Sequence, residues 1–149
     1  MKNKIVLFTL MLMMSFSTSF AGTSTGVNDR IANSFKKDFA SAEDVRWEKS
    51  SNFIKATFTL SGQVMFAYYS EQGNLIAVTR NITSSQLPLS LMTDLRNNYR
   101  GHWISDLFEI AVNGETTYYI TLENGDYSLV LKSTGSAGWE VFKKERKED

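Results

Sequence analysis

Apolar residues recur at every fourth position from Val27 through Ile31 and Phe35 to Phe39. Side chains four apart lie along one helix face, so this spacing predicts an amphipathic helix. Asn28 or Asp29 stands at its start, where a side-chain oxygen can accept from the free N–H groups of a first turn. Sixty positions on, the stripe returns as Leu87, Leu91, Leu95 and Tyr99, widened by Met92. Ser84 and Ser85 precede it as candidate caps. Pro88, the chain's only proline, lacks a backbone N–H and has a fixed φ, which suits a first helical turn and not an interior.

After each stripe the pattern changes to short runs that alternate between apolar and polar. The first set predicts strands over Val45–Lys49, Phe53–Leu60, Val64–Tyr69 and Leu75–Arg80. The second predicts strands over Trp103–Val112, Thr116–Leu122, Asp126–Lys132 and Trp139–Lys143. Ser61-Gly62, Asn113-Gly114 and Asn124-Gly125 separate neighbouring strands, and Asn-Gly is a strong hairpin signal because both residues tolerate positive φ. "ATFTLSGQVMFAYYSEQG" (Ala56 to Gly73) also aligns without a gap to "YYITLENGDYSLVLKSTG" (Tyr118 to Gly135). The expected fold is therefore α+β, a tandem duplication of an α-β-β-β-β unit over about residues 27–80 and 87–143. Its two helices would pack on one face of a single antiparallel sheet of about eight strands.

Alternation assigns the faces. Ile54, Ala56, Phe58 and Leu60 form an inner stripe beneath the helices, as do Met65, Ala67 and Tyr69. Tyr118, Ile120 and Leu122 match them, with Tyr127, Leu129 and Leu131. The outward positions are then Lys55, Thr57 and Thr59, Val64, Phe66 and Tyr68, and Tyr119, Thr121 and Val130. A helix-free sheet face carrying threonines and aromatics suits a protein partner, because large aromatics supply much of an interface's energy. The expected partner-binding residues are Phe66, Tyr68 and Tyr119, with Thr57 and Thr121 around them. The competing reading is a small-ligand carrier with a pocket between helices and sheet. Its inward polar groups would be the hydroxyls of Tyr69, Tyr99, Tyr118 and Tyr127.

The first residues read differently. Lys2 and Lys4 precede an apolar run from Ile5 through Phe16, and small residues at Ser19 and Ala21 fit a signal-peptidase site after Ala21. The expected organisation is a signal peptide over residues 1–21 and a single domain over 22–149. The apolar run is shorter than the roughly 20 residues a membrane span needs. Absence of cysteine excludes a lipoprotein anchor, disulfides, zinc–thiolate sites and thiol catalysis. Without Lys2 and Lys4 the chain has 14 basic and 16 acidic residues, a balance that points to neither nucleic acid nor an anionic membrane. The run "KKERKED" from Lys143 reads as a solvated, fraying tail.

Three stretches together resemble a known family. They are "FKKDFASAEDVRWEK" from Phe35, "VMFAYYSEQGNLIAVTRNITSSQLPLSLMTDL" from Val64 and "YYITLENGDYSLVLKSTGSAGWEVFKK" from Tyr118. Their aromatic helix end, Val-x-Trp strand start, glycine turns and Leu-Pro helix start resemble the secreted PepSY-like, beta-lactamase-inhibitor-like proteins of bacteria. The resemblance implies export, one sheet built from tandem units, and a protein partner on the open sheet face. It supplies no catalytic residue.

Catalysis finds little footing in the residues themselves. His102 is the only histidine, so a metal site or a triad would have to rest on it alone. It reads as a solvent-exposed residue after the second helix. No metal site, cofactor or enzymatic activity is expected. Trp47 and Trp139 read as core residues, and Trp103 as a residue at the rim of the open face.

Overall fold

The computed structural model describes residues 27–147. The expected signal peptide, residues 1–21, lies outside them. Helix α1 (Asp29–Asp38) is followed by β1 (Glu43–Lys49), β2 (Ile54–Leu60), β3 (Gln63–Tyr69) and β4 (Leu75–Asn81). A short 3-10 turn (Ser84–Gln86) leads into α2 (Leu89–Asn98). Then come β5 (Trp103–Val112), β6 (Glu115–Glu123), β7 (Tyr127–Ser133) and β8 (Glu140–Arg146). The same order of elements thus runs twice. All eight strands join one antiparallel sheet in chain order, β1 to β8, and the α+β architecture is as the hydrophobic pattern predicts.

Local chemistry explains the boundaries. Asn28 Oδ1 accepts from the Arg30 N–H at 3.0 Å and caps α1. Pro88 sits one residue outside α2, at φ −49° and ψ 140°, rather than within its first turn. Ser84 and Ser85 do not cap α2 either; they form the 3-10 turn, where the Thr83 N–H donates to Gln86 Oε1 at 2.8 Å. Asn113 and Gly114 both take positive φ, as a tight hairpin requires. Asn124-Gly125 turns by another route: Asn124 Oδ1 accepts from the N–H groups of Asp126 and Tyr127 at 2.9 and 2.8 Å. The expected fraying tail is partly strand, since β8 continues to Arg146, which pairs with Tyr127.

Gly73 and Gly135 occupy matching turns, at φ +85° and +90°. A side chain at the first would sit 3.0 Å from Arg30 Cγ on α1. One at the second would sit 3.3 Å from Tyr118 Cε2 and 3.9 Å from Pro88, beside the start of α2. Both turns therefore need glycine for conformation and for space.

The helices share one side of the sheet but cover separate cores. Ile31 and Phe35 of α1 pack with Ile54, Ala56, Phe58, Ala67 and Tyr69, and Trp47 lies against that cluster. Leu91 of α2 packs with Leu87, Leu107, Ile120, Leu122, Leu129 and Leu131, with Trp139 alongside. Each fully buried large apolar side chain contributes roughly 1.5–3 kcal/mol. Trp139 also holds α2 directly, its indole N–H donating to the Leu91 carbonyl at 3.0 Å. Where the halves meet, Arg80 on β4 pairs with Glu109 on β5 at 2.6 Å and reaches Gln63 at 2.5 Å. The outermost strands, β1 and β8, are mostly exposed and rich in charge.

Candidate binding surface

The sheet's other side carries a third cluster, drawn among the described residues from strands and the residue leading into β2, and from neither helix. Phe53, Tyr68, Ala77, Phe108, Ile110, Tyr119 and Val130 are its buried members, flanked by Phe66 and Phe142. Strand register lays these side chains in rows across the sheet. One row runs Thr57–Phe66–Thr79–Ile110–Thr117 over β2 to β6. A second runs Asn81–Phe108–Tyr119–Lys132–Glu140 over β4 to β8. A third joins Asp106, Thr121 and Val130.

All five residues expected from the sequence lie on this side, in two groups. Thr57 and Phe66 are cross-strand partners with Tyr68 two positions on. Tyr119 and Thr121 sit together on β6, and Phe108, Ile110 and Thr79 span the distance between the groups. Their exposure differs from that of a bare aromatic surface. Tyr68 and Tyr119 are each only 6 % exposed, and Phe66, Thr57 and Thr121 are intermediate. The rings pack on one another: Phe108 stacks on Tyr119 at 5.4 Å, Tyr119 meets Phe142 edge-on at 5.6 Å, and Phe53 meets Tyr68 at 5.3 Å. Burial pushes the Tyr68 phenol up to about 12, partly offset by its hydrogen bond with Thr79.

Charge frames the band. Lys55 Nζ stands 5.7 Å from the centre of the Phe66 ring while pairing with Glu48 at 2.5 Å. Lys132 takes the corresponding place over Phe142, at 5.9 Å. Asp106 lies beside Thr121, and burial raises its carboxyl above the usual range against a backbone hydrogen bond from Leu107. Trp103 pairs with Glu123 at the end of this face, 53 % exposed, with Lys147 Nζ 4.8 Å from its ring centre.

Sequence reasoning missed Phe53, Phe108, Ile110 and Phe142 as members of this band. Phe108 and Ile110 alternate outward on β5, a signal that was present. Phe142 falls where the β7–β8 register shifts, so simple alternation misplaces it. His102 also departs from expectation. It is half-buried, with its Nε2 3.1 Å from Asn124 Nδ2 and its ring edge-on to Tyr99 at 6.3 Å. The α2–β5 loop folds back against the β6–β7 turn, which encloses a residue that looked terminal to the helix. Among the described residues, no three His, Asp or Glu side chains converge as a metal site would need.

No family model and no curated protein matches the chain. Solved structures do. A protein from Bacteroides fragilis described as BLIP-like superposes with a TM-score of 0.71 at 17 % identity, covering 85 % of this chain and 92 % of its own. A DUF2874 family protein from Bacteroides ovatus gives 0.71 at 13 % identity, with 83 % and 89 % covered. A protein from Bacteroides eggerthii, provisionally classed as periplasmic, gives 0.70 at 11 % identity, with 82 % and 90 % covered. At these identities the likeness establishes the fold, and the chain has the BLIP-like arrangement of two helices on one eight-stranded antiparallel sheet.

Proposed function

We propose that the protein is an exported, non-enzymatic binding module that engages a protein or peptide through the sheet face opposite its helices. The observation that carries this reading is the aromatic band in cross-strand rows from β2 to β8, on the side that neither helix needs for its own packing. Phe66, Thr57 and Thr121 supply the accessible contact positions, while Tyr68 and Tyr119 stiffen the band beneath them. Rigid aromatic surface loses little entropy on binding.

Export is supported by the pattern of residues 1–21 and by the provisional periplasmic class of one structural neighbour. Among the described residues no helix is long and apolar enough to cross a membrane. The chain has no cysteine to carry a lipid anchor. Kinship with PepSY-like proteins, descent by duplication, and inhibition or regulation of a partner belong with this reading as its finer parts. They rest on the twice-run order of elements and on the BLIP-like description of a neighbour.

The test uses residues 22–149 tethered as bait against an envelope extract of the native host. The comparison is a Thr57→Arg/Phe66→Ser/Thr121→Arg variant, which spares the buried tyrosines. The wild-type bait should capture a discrete protein that the variant loses, with the variant's thermal midpoint within about 5 °C of wild type. Equal capture by both baits would remove this face from recognition.

A further inference from the structure

A cleft of about 460 Å³ opens on the helix side, between the C-terminal half of α2, the loop from Tyr99 to His102, the start of β5 and the end of β6. That volume falls within the range of about 300–1,000 Å³ usual for small-molecule sites. Its apolar lining comes from Met92, Leu95, Tyr99, Ile104 and Leu122, while Arg96, Arg100 and His102 also border it. Among the described residues no Asp or Glu lines the cleft. The nearby Asp94 accepts from Asn98 and from the Trp139 N–H. Arg100 Nε donates to the Arg96 carbonyl at 3.0 Å, damping the negative end of the helix. Among the described residues neither guanidinium has a carboxylate partner, since the ion pairs there involve other side chains.

His102 adds a ring of fixed orientation to the wall. The Asn124 amide is oriented by its own turn, because Oδ1 already accepts from the Asp126 and Tyr127 N–H groups. Its Nδ2 therefore faces His102 Nε2 as a donor, and Nε2 must accept. In the neutral ring the proton then sits on Nδ1, a buried atom with no hydrogen-bond partner. That atom is closed to solvent, so His102 offers the cleft the rest of its ring, held in one tautomer.

We propose that this cleft binds a carboxylate-headed amphiphile, its apolar body against Leu95, Ile104 and Leu122, its carboxylate held by Arg96 and Arg100, and the His102 ring on the adjoining wall. Apolar walls and two cations with no carboxylate partner among the described residues match an anion with acceptor oxygens on an apolar tail. A cation or a neutral alcohol would use only part of that set. This site is separate from the protein-binding face.

Decanoate, decanol and acetate are the probes, added to untagged residues 22–149. Because His102 is the only histidine, its ring ¹⁵N resonances report on the site alone. The free protein should show the Nδ1–H tautomer. Decanoate should shift that signal saturably and bind at least about tenfold more tightly than decanol or acetate, as loss of charge-assisted bonds or of the tail implies. Arg96→Gln/Arg100→Gln should cost decanoate about tenfold or more, whereas the triple variant of the opposite face should bind it as wild type does. Decanol binding as well as decanoate, decanoate binding without a His102 shift, or an unaffected arginine variant would each overturn the proposal.

Discussion

Phe35 and Leu95 hold the third position of the same stripe on the two helices, but their surroundings differ. Phe35 is 4 % exposed and touches four rings: Phe39 at 5.3 Å, Trp47 at 5.2 Å, Phe58 at 4.9 Å and Tyr69 at 6.4 Å. Leu95 is half-buried and forms a wall of the cleft. The aligned positions explain why. The first half has Phe35 and Phe58 where the second has Leu95 and Ile120, so two rings are replaced by smaller aliphatic groups. Phe39 closes the first core against Phe58 at 4.7 Å, whereas Tyr99, its counterpart, meets His102 instead. One layout thus yields a core of interlocked rings beside α1 and a cleft beside α2, where Leu95 stands on the wall in place of a ring.

Truncation should expose this asymmetry most strongly. Phe35→Ala should cost about 3–5 kcal/mol, because the interlocked rings cannot collapse into the hole. Leu95→Ala should cost less than about 2 kcal/mol, since its methyls border a cleft that already opens to solvent. Denaturant midpoints of the two variants decide the matter, and equal losses would mean the second core is as tightly filled as the first.

Alkaline titration sharpens the comparison next. Burial raises the Tyr69 phenol, helped by its hydrogen bond to Asp38 at 3.1 Å and that carboxylate's charge. Burial also raises Tyr99, with Asp94 adding to it. A phenol raised in the folded state stays protonated while the unfolded chain begins to ionise near 10. The unfolded state then binds fewer protons, and stability falls as pH rises past 10. Tyr69→Phe should remove a slope approaching about 1.4 kcal/mol per pH unit. Tyr99→Phe should remove less, because its ring stands at the cleft. Unfolding curves at pH 9, 10 and 11 would test this, and a steeper loss for Tyr99 would reverse the assignment of the filled and open halves.

The smallest effect should come from rebuilding the missing ring. Leu95→Phe should change stability by less than about 1 kcal/mol, because the cleft has room for the larger side chain. It should also abolish the decanoate-dependent shift at His102. A large destabilisation would mean that the recess does not exist in solution.

Much of this architecture could be read from alternation and spacing. Ile54, Ala56 and Phe58 face the helices because a strand's sides are set by parity, and each stripe of fours names a helix face. Parity also put Phe66, Tyr68 and Tyr119 on the far side. It could not say how deeply they sit, because the rings that crowd Tyr119 arrive from β5 and β8, far along the chain, and Phe142 arrives through a register shift. The cleft was hidden for a different reason. Leu95 looks like an ordinary core residue, and only comparison with the ring-packed Phe35 reveals the cleft beside it. His102 looked exposed because its partner, Asn124, belongs to a turn whose geometry depends on a side chain rather than on glycine.

The sheet's strict chain order bears on how the molecule acquires its shape. Every strand pairs with its immediate neighbour in sequence, so no segment must wait for a distant one before it can bond. Most closures span a hairpin, and the longest runs through residues 82–102, where α2 can form on its own timescale. Loop-closure entropy grows only slowly with length, and local topologies of this kind cross lower barriers than interleaved ones. A chain emerging with its N-terminus first can add β1 through β8 in the order in which they appear, and it never has to thread a late strand between two earlier ones.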